Sequence, residues 1–567
     1  MRKPPNILYG VDETPPLGIT LFSGLQQVGL LSVYLVFPLL IGREAHVTDA
    51  EIIGLLSVSM IAMAAAAILP ALRLGPLGAG FLCPGVFTAA YLAPSLLAAH
   101  AGGMSLVLGM TIFGGCVGAV FSQMLRYLRP LFPPEVAGFV VIMLGVTIGA
   151  IGVRYALGIR TAHPVRAEEL VVAIVTLGTM VGLNVWTRGY LKLFCGLLGM
   201  SAGYAAAALL GVLSEGDLER ISATPLLGLP SFAHFGWSFD YSLVPAFVFA
   251  ALAAGLKALG SIATCQKIND ADWVRPDMRL IGQGVLADAA TTITAGALGA
   301  TGVNSSPSAV GLSGATGVTS RRVAYAIGAI FLALAVLPKA AAVLAIMPQP
   351  VIGAAFLFTA SFVLVNGLEI VSSRLLDARR TFVIGISFML GLAVDFFPEY
   401  FTQLPTALHP LTSSSLVLGM FSAVALNLVF RIGARRTQQL VVEPARVDPS
   451  AIEVFMETQG AAWGARRDVI DRAVFNLQQS VETLVSSGVA AGPLEVAASF
   501  DEFNLDVRVS YDGPPLELPE QRPSNEEIMA SDEGERKLAG FMLRRFADRV
   551  AATHKGGRST VLFHFDH

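Results

Sequence analysis

The chain predicts a polytopic α-helical membrane protein: fourteen transmembrane segments as a 7+7 inverted repeat, then a small soluble α+β domain. Three observations carry that reading. Hydrophobic residues fill 54 % of the 567 positions and charged residues only 14 %, where a soluble domain holds about 25 % charged. The charges are segregated into short joints from about Leu17 to Phe430, and after Arg431 the composition becomes soluble-like. Broken apolar segments recur at matching places in the two halves, the sequence trace of an inverted-repeat transporter.

Crossing the hydrocarbon core takes about 20 apolar residues. Such runs fall near 17–41, 50–72, 76–98, 102–122, 132–155, 167–187, 190–212, 243–264, 279–299, 304–317, 322–342, 349–369, 381–397 and 412–432. The third is interrupted by Gly75, Pro76, Gly78, Gly80, Pro84 and Gly85, and the tenth is short and rich in Gly and Ser. Each stands third in its set of seven. Half-helix ends at such breaks offer free N–H groups to an anion or a polar ring, so a solute site is expected there. Closely packed Gly-rich helices are the plainer alternative.

The expected order is an N-terminal tail at 1–16, a first repeat at 17–212, an extracytoplasmic joint at 213–242, a second repeat at 243–436 and a soluble domain at 437–567. Alternate joints differ in basic residues. One set holds Arg73, Arg126, Arg129, Arg188, Lys267, Arg275, Arg279, Arg321, Arg374, Arg379, Arg380, Arg431, Arg435 and Arg436. The other holds Arg43, Arg160, Arg166, Arg220 and Lys339, with an acidic stretch from Glu215 to Glu219. The positive-inside rule then places both termini in the cytoplasm of a bacterial inner membrane. His234 and Trp237 of the outer joint suit interfacial seating. The N-terminus lacks a signal peptide's apolar stretch, so the first span does the targeting.

Other classes find little support. A net charge of −3 gives no reason to expect nucleic acid. Cys83, Cys116, Cys195 and Cys265 lie in or beside apolar runs without metal-ligand spacing and read as packing residues. No phosphate loop of the GxxxxGK[ST] kind is present, which argues against an ATP-driven pump. No nucleophile, base and orienter cluster marks an enzyme, and no catalytic residue, cofactor or metal is expected.

The apolar run VPAFVFAALAAGLKALGSIAT holds Lys257, and the next span holds Asp288. Ionisable groups at mid-membrane are expensive and serve a pathway or a buried ion pair. Two readings of Lys257 stay open: it faces a solvated cavity near Asp288 and binds or gates a solute, or it pins two helices in an ion pair. Proton coupling through either group is an expectation. Asp270 and Asp272 in KINDADWVRPDMR read as solvated surface.

At these residues the chain resembles the nucleobase–ascorbate transporter family of uracil, xanthine and urate permeases. The resemblance spans roughly residues 14–436. GLQQVGLLSVYLVFPLLIG, from Gly24, looks like the family's first span. LGSIATCQKINDADWVRPDMRLIGQGVLADAATTITAG resembles its eighth and ninth, with Asp288 on the ninth-span aspartate. SAVGLSGATGVTSR matches the signature that follows, with Gly311 and Thr316 as its glycine and threonine. The resemblance implies a core domain that holds solute between short strands of the third and tenth spans, and a gate domain that pairs subunits in a homodimer. It also implies departures. Lys257 stands at an eighth-span glutamate, Ser308 and Ala309 at the tenth-span Gln/Glu-Asn positions, Gln27 at a first-span histidine, and Phe81 where an aromatic residue nears the ring. A carboxylate accepts hydrogen bonds from ring N–H groups, whereas an ammonium only donates. That exchange favours a carbonyl-rich or anionic solute. The expected site is Lys257, Ser308 and Phe81 around the solute, Gly80 and Gly311 allowing close backbone approach, Asp288 orienting Lys257 or relaying protons, and Thr316 and Gln27 as second choices.

Residues 437–567 alternate in LEVAASF, LDVRVSYDG and STVLFHF, and helical patterns occupy DVIDRAVFNLQQSVETLVSS and EGERKLAGFMLRRFADRVAATH. This predicts an α+β domain. Asn476, Glu482 and SYDG, in that order, resemble the ATP-binding domain of histidine kinases and anti-sigma factors. The paired glycine loops are reduced to Asp512-Gly513 and Gly540, so a regulatory or assembly role, with a cytosolic regulator as partner, fits better than catalysis. The leading function is secondary transport of a nucleobase or related anionic solute. An inorganic or carboxylate anion carrier, or a solute sensor signalling through the C-terminal domain, are the alternatives.

Overall fold

The computed structural model describes residues 2–566 except 129–132, 160–165, 188–189, 214, 231–234, 274–275, 373–377, 406–407, 409–410, 413, 432–435, 444–448, 464, 466, 487, 489, 491, 502–503, 517 and 525–531. Arg129, Arg160, Arg188, His234, Arg275, Arg374 and Arg435, named above, lie outside the described residues. The chain divides into two compact units, Met1–Leu426 and Asn427–His567.

The first unit is helical. Its helices are α1 (Leu17–Leu31), α2 (Val36–Glu44), α3 (Asp49–Ala71), α4 (Ala89–Leu128), α5 (Pro134–Ala156), α6 (Ala167–Trp186), α7 (Tyr190–Leu193), α8 (Cys195–Leu209) and α9 (Glu215–Ala223). They continue as α10 (Val244–Asn269), α11 (Met278–Leu298), α12 (Pro307–Thr316), α13 (Arg322–Ala335), α14 (Pro338–Ala345), α15 (Gln349–Ser372), α16 (Ala378–Phe396), α17 (Pro398–Thr402) and α18 (Ser415–Arg431). Among the described residues, seven helical segments are long and apolar enough to cross a membrane, or eight if α13 and α14, bent by 81°, form one span. The protein is therefore a polytopic helical membrane protein. The shorter apolar helices α8 and α18 lie outside that number. A single 40-residue helix, α4, holds two of the expected spans and leaves helical geometry at Gly102 and Gly103. The third and tenth expected spans each begin as a strand.

Those strands, β1 (Gly85–Phe87) and β2 (Val303–Ser305), pair antiparallel with Val86 opposite Asn304. The helices fall into two packed groups. In one, α4 lies against α10 and α11, and α3 against α13 and α11. In the other, α15 lies against α5 and α6, and α6 against α8.

The N-terminal tail is not loose. Prolines at 4, 5, 15 and 16 keep it from helix, and Pro16 caps α1. Tyr9 N donates to Gly317 O at 3.0 Å and Thr319 N to Tyr9 O at 2.9 Å, a short parallel bridge onto the α12–α13 joint. Asp12 meets Arg321 at 2.9 Å and Arg73 at 3.5 Å, so it joins the ends of two different spans. Arg2 N donates to Asp270 at 2.8 Å and Arg2 pairs with Asp272 at 3.4 Å, which gives these two aspartates a partner in the tail.

The second unit has strands β3 (Arg436–Val442), β4 (Leu494–Phe500), β5 (Asn504–Asp512), β6 (Arg549–Lys555) and β7 (Arg558–Asp566) in the order β3-β4-β5-β7-β6, all antiparallel. Its helices are α19 (Pro449–Trp463), α20 (Arg467–Ser486) and α21 (Asp532–Phe546). Alternation in β7 buries Val561, Phe563 and Phe565 in the same core as Leu477, Val481 and Leu484 of α20. The last helical pattern in the sequence is shorter than expected. It ends at Phe546, and 549–555 is a strand that turns at Gly556-Gly557, both with positive φ, into β7. Two glycines between alternating runs are a hairpin signal that outranks the helical pattern. Asn476 is wholly buried and Glu482 is exposed, so α20 does not present them together.

Gly317 holds φ +69°, and a Cβ there would sit 3.0 Å from Asn6 O. Gly317→Ala is expected to lift the tail, at about 1–2 kcal/mol for the left-handed backbone, read as faster amide exchange at residues 8 and 9. Hydrogen bonds from Lys3 and from the Gly10 N–H hold the Glu13 carboxyl below its usual range. A depressed carboxyl stabilises above its unfolded pKa, so tail protection should weaken as pH falls below about 4.3, and Glu13→Gln should flatten that dependence.

Candidate functional site

At the break in each half, a strand runs straight into a helix N-terminus. Pairing of β1 with β2 satisfies backbone groups that no lipid could satisfy. Thr88 N donates to Gly302 O at 3.2 Å and Ser306 N to Pro84 O at 3.0 Å, extending the ladder at both ends. Ser306 caps α12, its hydroxyl accepting from Ala309 N at 3.4 Å. Thr88 accepts from Ala90 N at 3.3 Å at the start of α4. Antiparallel pairing places the two helix starts at opposite ends of this short ladder, and the helices run away from each other. Pro307 has no N–H and Ala309 N and Ala90 N are capped, so the N–H groups of Ser308 and Ala89 remain, and both first turns carry partial positive charge.

Asp288, on α11 and 5 % exposed, fixes β2. Its Oδ2 accepts from Ser305 Oγ at 2.7 Å, Ser305 N at 2.9 Å and Asn304 Nδ2 at 3.0 Å. Asn304 also donates to Ala254 O of α10 at 2.9 Å, and Thr292 donates to Val303 O at 2.7 Å. One carboxylate therefore binds α11, β2 and, through Asn304, α10. The structure records no ion pair between Asp288 and Lys257 among the described residues, although their charges act on each other at longer range. Asp288, expected to orient Lys257 or relay protons, has as its close partners the backbone and side chains of the strand.

Lys257 lines a cavity of about 450 Å³, together with Ser308 and Pro307 at the start of α12, Thr88 and Ala89 at the start of α4, and Tyr34 and Phe37 of the first span. The opposite wall comes from α5 and α15, including Val141, Thr359, Phe362, Asn366 and Glu369. The Lys257 side chain makes no hydrogen bond or ion pair to a described residue, so the reading of a helix-pinning ion pair does not hold. An ammonium in such a place needs water or an electron-rich partner.

The other expected site residues stand elsewhere. Phe81 is fully buried in the core and does not line the cavity. Gly80 turns at φ +74°, where a Cβ would lie 2.3 Å from the Arg73 side chain, so its close approach is to α3's end and not to a solute. Gly311 is exposed, with nothing within 4 Å of a Cβ. Thr316 bonds back to Leu312 O at 3.0 Å within its own helix. Gln27 donates to Ala309 O and Ser313 Oγ, each at 3.0 Å, and stitches α1 to α12 behind the site. Sequence reading missed Tyr34, Thr88 and Glu369. Glu369 carried a weaker form of the Lys257 signal, a charge near the end of an apolar run. Tyr34 lies in a 3₁₀ segment, Ser32–Leu35, that interrupts the first span and leaves no mark in composition.

Among the described residues no group of three His, Cys, Asp or Glu side chains is arranged to hold a metal ion. The four cysteines are free, and all but Cys116 are buried.

A family profile described as "Permease family", of the xanthine/uracil permease type, matches residues 18–400. The chain belongs to the nucleobase–ascorbate transporter family. It is a transporter and not an enzyme. A Clostridium perfringens protein named provisionally as a purine permease is 29 % identical over 432 residues, covering 75 % of this chain and 93 % of the relative. The xanthine permease XanP of Escherichia coli K12 is 26 % identical over 444 residues, covering 75 % and 94 %. The uric acid permease PucJ of Bacillus subtilis is 25 % identical over 405 residues, covering 70 % and 88 %.

Replacing Asp288 by Ala strips a buried acceptor from three donors. Hydrogen bonds to charged groups contribute about 1.5–3 kcal/mol each, non-additively. The expected result is a marked fall in the thermal stability of detergent-purified protein. Thr292→Val, which removes one neutral bond to the same strand, should cost only about 1 kcal/mol.

Proposed function

We propose that this protein is a secondary transporter of a purine nucleobase rich in carbonyl groups or carrying negative charge, of the xanthine or urate class. The observation that supports it best is the unpaired Lys257 ammonium in the same cavity as two helix N-termini. Lys257 is a donor, and both helix starts lend partial positive charge to the same cavity. A ring with several carbonyl oxygens, or an anionic ring, supplies the acceptors. The volume of about 450 Å³ lies in the usual small-ligand range of roughly 300–1,000 Å³. Tyr34, Phe37 and Phe362 give aromatic and apolar walls suited to a flat ring. The names of the relatives, purine, xanthine and uric acid permeases, agree with that chemistry.

In this reading Lys257 and Ser308 hold the solute, Thr88 and Asn366 offer further polar contacts, and Asp288 and Gln27 position the strand and helix behind them. The chain crosses the membrane fourteen times as two inverted repeats of seven. The α3–α4–α10–α11–α13 group is the moving core, and the α5–α6–α8–α15 group is the gate, through which two subunits pair. Both termini are cytoplasmic, transport is coupled to protons, and the unit from Asn427 meets a cytosolic regulator. An inorganic or carboxylate anion remains a second reading because a cation flanked by helix N-termini is also an anion site.

Purified protein should be thermally stabilised by xanthine or urate, and less so by uracil. Lys257→Met should weaken xanthine or urate binding about tenfold or more, as loss of a charge-assisted hydrogen bond implies. Equal stabilisation of wild type and variant by these purines would sink the role of Lys257. Stabilisation by sulfate or bicarbonate alone would turn the assignment to the second reading.

A further inference from the structure

The cavity holds a second charge that the proposed solute contacts do not use. Glu369 lies on α15, one turn beyond Asn366, and both line the same cavity as Lys257. Its carboxylate is exposed and has no recorded hydrogen bond or ion pair to a described residue. Glu369 stands three residues from the end of α15, where its carboxylate is open to water and still borders the cavity. Its position is specific. Lys257 is carried by α10, which packs chiefly on α4 and α11, whereas Glu369 is carried by α15, which packs chiefly on α5 and α6. The two opposite charges therefore stand on the two walls of one cavity, on separately packed groups of helices.

We propose that Glu369 is the counter-charge for Lys257 when the carrier is empty. The inference rests on the reading of Lys257 as the group that holds the solute. A loaded carrier brings its own electron-rich partner for the ammonium. An empty one does not, and a bare ammonium moved through a low-dielectric septum pays a large desolvation cost. Sliding of one wall past the other offers a nearby remedy, because Glu369 is the carboxylate that reaches the cavity from the opposing wall. Asp288 acts on Lys257 at longer range, but α11 belongs to the same packed group as α10 and its Oδ2 is held by Ser305 and Asn304, so it offers no partner on the opposing wall. With solute bound, Glu369 is released to water at its exposed position. Solute and Glu369 thus alternate as partners of one lysine.

Net uptake requires the empty carrier to return, while solute-for-solute exchange does not. The test is radiolabelled xanthine flux in proteoliposomes, measured as net uptake and as exchange against internal xanthine, for wild type, Glu369→Gln and Glu369→Asp. Glu369→Gln should lower net uptake relative to exchange by about fivefold or more, the lower range of ordinary coupling energies. Glu369→Asp should restore part of the ratio. Exchange by the same preparation reports that the variant is folded. A fall in both fluxes in proportion, or no change in their ratio, overturns the counter-charge role and leaves the transport reading intact. Failure of wild type to carry xanthine or urate in either mode instead defeats the transport reading on which it stands.

Discussion

Backbone that leaves the helix within a membrane must find every hydrogen-bond partner inside the protein. That constraint governs the site. Two three-residue strands supply each other's partners, and the Asp288 carboxylate takes the donors that remain at Asn304 and Ser305. Once the strands are held, the helices that follow them start at the two ends of one short ladder, and both starts reach the same cavity. The convergence of two helix N-termini on one cavity is a geometric consequence of that pairing. The backbone thus lends partial positive charge to a mainly apolar cavity.

The side chains then set its character. Lys257 brings donors and no acceptor to the cavity, and in the proposed reading that suits oxygen-rich or anionic rings better than rings that present N–H groups. The opposing wall adds aromatic and apolar surface, with Asn366 and Glu369 as its polar elements. Supporting residues lie one layer back. Gln27 bonds α1 to α12, and the N-terminal tail bonds the α12–α13 joint to the end of α3 through Asp12. These contacts tie the half-helices into one body, which is what a carrier needs if its site is to move without deforming.

Much of this is legible in the chain itself. Segregation of charge marked the membrane unit, glycine and proline marked the broken third span, and two charges inside apolar runs marked Lys257 and Asp288. Glu369 is less legible by the same rule, because it lies near a helix end, where charges are usual. The hairpin of β6 and β7 was hidden by a helical periodicity that runs on past Phe546, although Gly556-Gly557 announced the turn.

Linear order by itself determined that the protein is embedded in a membrane, which family it joins, and that it carries a lysine inside an apolar run, because hydropathy and motif spacing are local properties. Only the tertiary structure decided which polar groups share a cavity. Phe81, Gly80, Gly311 and Thr316 sit at plausible spacing yet face packed neighbours, their own helix or open surface, while Tyr34, Thr88 and Glu369 come from distant segments. The reason is that the direction of a side chain at a helix break depends on how the strand beyond it pairs, and that pairing joins residues more than two hundred positions apart.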